Sequence, residues 1–222
     1  MTNQSDGEET MTPPDFSRRV LIGLAGRAGV GKDFTFGQLL ERDPERFTRL
    51  ALADGVRFEV EMALTSRSLR SMEFFGAQID ELWRKPYPLE IRRLLQWWGT
   101  DLRRAESEDY WLWFLEERLS WRFPPTDFLV VTDVRFPNEA EWVRSKGGLV
   151  VQLVCHHDIR RSRLGGTLPP EHASESSVDL IRADLQVETG DPARYQQGVK
   201  DIFDSAERLL AQKRAAAAQK RT

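Results

Sequence analysis

Cysteine and histidine are scarce in this chain of 222 residues, which holds one cysteine and three histidines. A single cysteine excludes a disulfide framework within the chain and is typical of a reducing compartment. Neither residue type shows the spacing of a zinc site. No apolar run reaches the length of about 18 residues that a membrane helix needs, and the polar N-terminus does not look like a signal peptide. We therefore expect a cytoplasmic protein with no membrane partner.

Net charge is also small, at -3 from 32 basic and 35 acidic residues. This balance argues against a polybasic membrane binder or a chain that coats nucleic acid, but it allows a local basic cleft. Residues 1–17 carry four acids and no base, whereas residues 209–222 carry four bases and no acid. We expect a disordered acidic tail over 1–17, one domain over 18–212 and a basic tail over 213–222.

Short apolar runs alternate along the chain with longer helical patterns. Strands are predicted at 20–25, 47–53, 128–132, 149–154 and 184–188, and helices at 33–41, 89–104, 109–122, 138–146 and 194–216. Continuous apolar strands separated by helices predict an α/β fold, with a mostly parallel sheet covered by helices on both faces as three α/β/α layers.

The first strand leads directly into residues 26–33, GRAGVGKD, which have the pattern G-x-x-x-x-G-K of a phosphate-binding loop. Glycines let successive N–H groups point at a phosphate, and the helix that follows adds its N-terminal dipole. The pattern predicts a P-loop NTPase that binds ATP and Mg²⁺, with Lys32 bridging two phosphates. Asp33 replaces the usual Ser or Thr, and either holds Mg²⁺ through water or caps the helix. The expected cofactor-binding residues are Gly26, Arg27, Gly29, Val30, Gly31, Lys32, Asp33 and Phe34.

A second acidic motif ends the strand at 128–132. In P-loop proteins an acid at this place holds Mg²⁺ through water, which predicts that role for Asp133; the alternative is a turn or helix cap. Arg135 and Asn138 follow where the loop opens toward the ligand crevice. Asn138 is either a substrate residue or the N-cap of the helix that begins near Glu139.

The acceptor side is expected at the end of the second strand, with Asp54 and Arg57, and along the helix at 89–104. That helix places Arg93, Gln96 and Arg104 among aromatic residues, a mixture that suits a base and its phosphate. The alternative is a solvated helix face. Four tryptophans are interpreted as core rather than as stacking platforms, namely Trp97, Trp98, Trp111 and Trp113.

A basic segment at 156–177 is the candidate for a small mobile lid, since such loops close over phosphates and exclude water. One arginine in it is expected to stabilise the transferred phosphoryl group. Arg160 and Arg163 are the candidates, and the sequence does not decide between them.

Together these motifs resemble bacteriophage-type deoxynucleoside monophosphate kinases over roughly residues 20–190. The stretch at 133–140, DVRFPNEA, is far more specific than the phosphate loop. The resemblance implies ATP on the phosphate loop and a deoxynucleotide acceptor between the second strand, the helices after it and the lid. It implies acceptor-site positions at Asp54, Arg57, Arg93, Gln96, Asp133 and Arg135. The expected reaction is ATP-dependent phosphoryl transfer to a (deoxy)nucleoside 5'-monophosphate, in the host cytoplasm if a phage encodes the protein.

Two alternatives stay open. One is a P-loop kinase that phosphorylates 5-hydroxymethyluracil in phage DNA, which would make modified DNA the partner. The other is a P-loop nucleotide-binding module without catalysis. The Trp-rich helices could also form the face of a homodimer, although core packing explains them equally well.

Overall fold

The computed structural model describes residues 15–65, 79–85, 87–121, 125–168 and 170–220. Most of the expected acidic tail, the last two residues of the basic tail and position 169 of the expected lid lie outside the described residues.

Five strands form one parallel sheet in the order β2-β3-β1-β4-β5. The strands are β1 (Val20–Ala25), β2 (Phe47–Leu50), β3 (Phe128–Val134), β4 (Leu149–Val154) and β5 (Leu185–Glu188). Because the strands are parallel, their carboxyl ends share one edge of the sheet. The chain passes from β1 to β2 on one side of β1 and later from β3 to β4 on the other side. Such a change of direction opens a crevice at that edge.

The helices cover both faces of this sheet. They are α1 (Lys32–Arg42), α2 (Leu52–Thr65), α3 (Leu89–Gln96) with a π-helical continuation (Trp97–Arg104), α4 (Tyr110–Trp121), α5 (Pro137–Ser145), α6 (His157–Arg163), α7 (Ala173–Ser176) and α8 (Pro192–Gln219). Two 3₁₀ turns lie at Ile79–Leu82 and Ser177–Leu180. No helix in the described part of the chain is long and apolar enough to cross a membrane.

Two apolar layers hold the helices to the sheet. Along β1 the side chains alternate: Leu21 belongs to the apolar cluster that contains residues of α2, α3, α4 and α5, whereas Ile22 belongs to the one with residues of α1 and α8. Both residues are fully buried. Burial on both faces explains why the strands are apolar without alternation, and it confirms the predicted α/β/α fold.

The strand predicted at 47–53 is wrong at its end, because β2 stops at Leu50 and α2 begins at Leu52. Asp54-Gly55 is a turn signal in sequence, so the local pattern indicates a turn rather than a helix here. Val56 and Val60 bury one face of α2, and Gly55 fits there because an added Cβ would lie 2.7 Å from the Phe114 ring. Tertiary packing therefore decides the helix.

Candidate active site

The carboxyl edge of the sheet opens into a cleft of about 610 Å³. One wall is the phosphate loop with the start of α1, and the other consists of α2, α3 and the π-helical segment. The cleft brings together eleven of the residues predicted from sequence, namely Gly29, Gly31, Lys32, Asp33, Phe34, Arg57, Gln96, Arg104, Asp133, Arg135 and Arg163. The other predicted residues lie outside its lining, namely Gly26, Arg27, Val30, Asp54, Arg93, Asn138 and Arg160.

The phosphate loop has a backbone that only glycine adopts easily. Gly29 and Gly31 have φ of 77° and 104°, in the left-handed region. At Gly26, with φ of 151°, an added Cβ would also lie 2.8 Å from the carbonyl oxygen of Leu153. The glycines of the sequence therefore permit this loop conformation, which other residues would adopt only with strain.

Lys32 extends over this loop, and its Nζ donates to the carbonyl oxygens of Gly26 and Arg27. Burial lowers its pKa well below the usual value, and the nearby Arg135 guanidinium lowers it further. The carboxylates of Glu175, Asp33 and Asp133 act in the opposite direction. A bound phosphate would join these anions in stabilising the charged ammonium.

Asp33 faces the cleft from the first turn of α1, and its carboxylate lies 2.7 Å from the Nζ of Lys85. Burial raises the pKa of Asp33, but the hydrogen bond and charge of Lys85 outweigh it, so the net shift is downward. Thr35 is buried, donates to the Gly31 carbonyl and accepts from the Tyr195 hydroxyl. It is therefore Asp33, not Thr35, that faces the ligand space.

Asp133 takes the structural role that was the alternative in the sequence, since it caps α2. Its two carboxylate oxygens each accept a backbone N–H at 2.9 Å, from Leu52 and Ala53. Each oxygen keeps a further lone pair, and the side chain lines the cleft. The metal role of Asp133 stays a prediction. Within the described ranges no group of three or more His, Cys, Asp or Glu side chains forms a metal cage.

Arg135 enters the cleft from the turn after β3. Its Nη1 lies 2.6 Å from Glu175 Oε1, and its backbone N–H donates to Glu139 Oε2 at 2.6 Å. Glu139 also accepts the N–H of Phe136 and is buried. Burial raises the pKa of Glu139 to about 7, although these N–H donors and the charge of Arg104 lower it. The motif at 133–140 is thus a turn stabilised by its own glutamate.

The two candidate lid arginines bind the outside of the phosphate loop. Arg160 Nε donates to the Ala28 carbonyl at 2.9 Å, and Arg163 Nη1 donates to the Val30 carbonyl at 3.0 Å. Of the two, Arg163 also lines the cleft. In this arrangement both support the loop, and a catalytic role for either stays a prediction.

Arg57 is the most unusual group on the acceptor wall. It is 5% exposed, its Nη2 lies 3.3 Å from Asp54, and its Nη1 has no hydrogen-bond partner among the described residues. A buried guanidinium nitrogen without a partner is costly, and an anionic ligand such as a phosphate would satisfy it. Asp54 lies behind it and also pairs with Arg49 at 3.5 Å. Asp54 therefore positions Arg57 rather than facing the cleft itself.

The α3 face differs from the prediction in one residue. Arg92 lines the cleft, while Arg93 is exposed and outside it, because successive residues of an α-helix point about 100° apart. The polar residues that line the cleft from this helix are Arg92, Gln96, Thr100 and Arg104, each four positions apart. Over four residues an α-helix rotates about 40° beyond a full turn, whereas the wider π-helix rotates by less than a full turn. The π-helical segment therefore returns Arg104 to the face of Arg92.

Arg104 is held rather than free. It donates to Asn138 Oδ1 at 3.0 Å and lies 3.7 Å from the centre of the Phe136 ring. Asn138 itself donates to Asp109 Oδ1 at 2.8 Å. Because α5 begins at Pro137 with Phe136 as its N-cap, Asn138 is not the cap. In this structure it anchors Arg104.

Sequence reasoning missed several cleft residues, namely Arg49, Lys85, Tyr87, Arg92, Glu139 and Glu175. Four-residue spacing back from Gln96 was a signal for Arg92, but no local signal marks the others. The core interpretation of the tryptophans is correct for Trp111, and Trp98 is partly buried against the same core. It is wrong for Trp97 and Trp113, which are 49% and 59% exposed.

Comparison with known proteins agrees with this geometry. The family model described as deoxynucleotide monophosphate kinase matches residues 58–164. A deoxynucleoside-5'-monophosphate kinase of Escherichia phage T5 is 35% identical over 105 residues, 47% of this chain and 36% of that protein. A putative deoxynucleotide monophosphate kinase of Acanthamoeba polyphaga mimivirus is 27% identical over 182 residues, 74% of this chain and 84% of that protein. The chain thus spans about a third of the phage relative and most of the mimivirus one.

One solved structure with a TM-score above 0.5 supports the fold. TT1252 from Thermus thermophilus matches with a TM-score of 0.51 and 16% identity, over 85% of this chain and 97% of that one. A gluconokinase from Sinorhizobium meliloti 1021 has a TM-score of 0.48 and 16% identity, over 88% of this chain and 98% of that one. The resemblance to deoxynucleoside monophosphate kinases is confirmed by the family model and by both named relatives.

Proposed function

We propose that this protein transfers the γ-phosphoryl group of ATP to the 5'-phosphate of a deoxynucleoside monophosphate, giving the diphosphate. The observation that carries the proposal is the arrangement of two anion sites in one cleft. The phosphate loop with Lys32 forms one wall, and the unpaired guanidinium nitrogen of Arg57 lies in the other. Two phosphorylated ligands, donor and acceptor, need such a pair of sites.

In the proposed reaction, an oxygen of the acceptor phosphate attacks the γ-phosphorus in line. A bond from this oxygen to phosphorus forms as the bond to the β–γ bridging oxygen breaks, and ADP leaves with that oxygen. The acceptor phosphate is already ionised at neutral pH, so no strong base is needed. Lys32 and Arg135 neutralise charge from the β1–α1 and β3–α5 turns, and Arg57 holds the acceptor phosphate.

The acceptor base is proposed to lie along the α3 face. Gln96 offers an amide for hydrogen bonds to the base, and Trp111 is the buried aromatic beside it in the cleft. Trp111 Nε1 donates to the Gly99 carbonyl at 2.8 Å, which fixes the ring. This wall therefore combines an amide that can hydrogen-bond to the edge of the base with a fixed apolar surface.

Mg²⁺ fits the donors present, because it prefers one or two carboxylates together with waters and substrate phosphates. Asp133 would hold it through water, and Asp33 would do so after release from Lys85. When bound, the ion screens the charge of the phosphates.

The test is a panel of acceptors with Mg-ATP: each deoxynucleoside and ribonucleoside monophosphate, and DNA that contains 5-hydroxymethyluracil. We expect ADP release and diphosphate formation with at least one deoxynucleoside monophosphate. Turnover on the modified DNA alone would contradict the proposal, and so would ATP binding without transfer to any acceptor. The comparisons lend no support to either of those alternatives.

A further inference from the structure

Glu175 is a buried carboxylate that the proposed reaction does not use. It lies in α7, is 4% exposed and lines the cleft. Its Oε2 accepts the backbone N–H of Ala28 at 2.8 Å, and its Oε1 accepts from Arg135 Nη1 at 2.6 Å. One carboxylate thus occupies a donor of the phosphate loop and a neighbouring guanidinium. Phosphates are bound by these same two kinds of donor.

The electrostatics of the site favour the charged form of Glu175. Burial raises its pKa, but the charge of Arg135, the N–H of Ala28 and the charge of Lys32 outweigh burial and lower it. A second anion at the Ala28 N–H would therefore meet a negative charge at close range. One N–H proton also serves one acceptor well at a time.

The segment that carries Glu175 is fastened to the loop at three points. Arg27 pairs with Glu171 on one side of Glu175 and with Asp179 on the other. Both acids are more than half exposed, at 67% and 56%, so these two outer contacts are weak. The contact of Glu175 is the buried one of the three. Val178 is also buried and holds the far end of the segment, so loss of the Glu175 contact would loosen α7, residues 173–176.

We propose that Glu175 competes with nucleotide phosphates for the phosphate loop. It holds Ala28 and Arg135 before ATP binds, and leaves them when the phosphates of ATP arrive. Its departure frees Arg135 for the transferred phosphoryl group and loosens α7, residues 173–176. The inference rests on the proposed function, because the competing anion is the triphosphate of ATP.

The experiment compares nucleotide binding to the wild type, Glu175→Gln and the matched control Glu171→Gln by calorimetry, with ATP and with inorganic tripolyphosphate. Both variants remove one negative charge from the same segment, but only residue 175 contacts a loop N–H. We expect Glu175→Gln to bind both ligands about tenfold more tightly, because the competing charge is gone. Glu171→Gln should stay within about twofold of the wild type, because its carboxylate is exposed.

A second measurement uses the wild type alone and does not depend on how a variant folds. Hydrogen exchange of the α7 amides, residues 173–176, should speed up when ATP binds, because the buried contact of Glu175 is broken. Unchanged or slower exchange there overturns the inference, and so does equal or weaker ATP binding by folded Glu175→Gln. ATP binding that is normal but insensitive to residue 175 removes the inference and leaves the proposed function intact. If none of the proteins binds ATP or tripolyphosphate, both fail.

Discussion

The two walls of the cleft are built in different ways. The phosphate-loop wall comes from one continuous stretch, in which glycines and a lysine follow β1 directly. The acceptor wall is assembled from β2, α2, α3 and the π-helical segment, and its key groups lie tens of residues apart. A continuous site carries its geometry in local backbone preferences, whereas an assembled site exists only after packing. The residues of a continuous site can be predicted one by one from sequence. For an assembled site, the sequence predicts only which part of the chain contributes.

The largest expected effect is on the continuous wall. Lys32→Ala should lower the rate of phosphoryl transfer by at least about 1000-fold, because a charged donor to the transferred group is lost. Single-turnover assays with saturating ATP measure it. The matched control is Lys200→Ala, an exposed lysine paired with Asp204 on α8, which should leave the rate unchanged. Retained activity in Lys32→Ala would remove the phosphate loop from the mechanism.

The second prediction concerns the turn at residues 133–140, which Glu139 stabilises. Glu139 has a pKa raised by burial from 4.5 to about 7. Between these pH values the folded state binds more protons than the unfolded state, so this residue makes the protein less stable as pH rises. Relative to that of Glu139→Gln, the free energy of unfolding of the wild type should fall by up to about 3 kcal/mol between pH 4.5 and pH 8.

Urea denaturation of both proteins across this pH range gives the difference in the free energy of unfolding. The exposed Glu117→Gln on α4 serves as the control and should run parallel to the wild type. A constant difference between wild type and Glu139→Gln would show that Glu139 does not titrate in this range.

Arg57 tests the assembled wall directly. Arg57→Ala should raise the KM for the monophosphate acceptor by about 100-fold and change the affinity for ATP little, because the lost donor faces the acceptor phosphate. Arg57→Lys should recover only part of this loss, since lysine lacks the planar fork. Arg118→Ala, an exposed arginine on α4, is the control. If Arg57→Ala changed only the affinity for ATP, Arg57 would contact ATP rather than the acceptor phosphate.

The smallest effect separates two adjacent residues of α3. Arg92→Ala should lower kcat/KM for the acceptor by about tenfold, whereas Arg93→Ala should change it by less than about twofold, because only Arg92 faces the cleft. The reverse order would restore the assignment made from sequence and would contradict the helix orientation. Circular dichroism of both variants checks that α3 is intact.

Much of the fold was accessible from sequence because fully buried strands such as β1 and β3 are apolar without interruption. One exception, α2, has a turn signal at its start that local reasoning cannot override. It becomes a helix because its apolar face packs into the core and because Asp133, 80 residues beyond Ala53, caps its first turn. The candidate site follows the same division: the loop glycines were predictable, but the unpaired nitrogen of Arg57 was not.

The sequence by itself marked the phosphate loop, since glycine is the residue that readily adopts the positive φ found at Gly29 and Gly31. It also determined the layers of the fold through its apolar runs. Tertiary structure alone decided that Arg92 rather than Arg93 faces the cleft and that Glu175 lies on the loop. The physical reason is that side-chain direction and burial depend on which elements pack together. Those contacts join residues far apart in the chain, as Glu175 and Ala28 are.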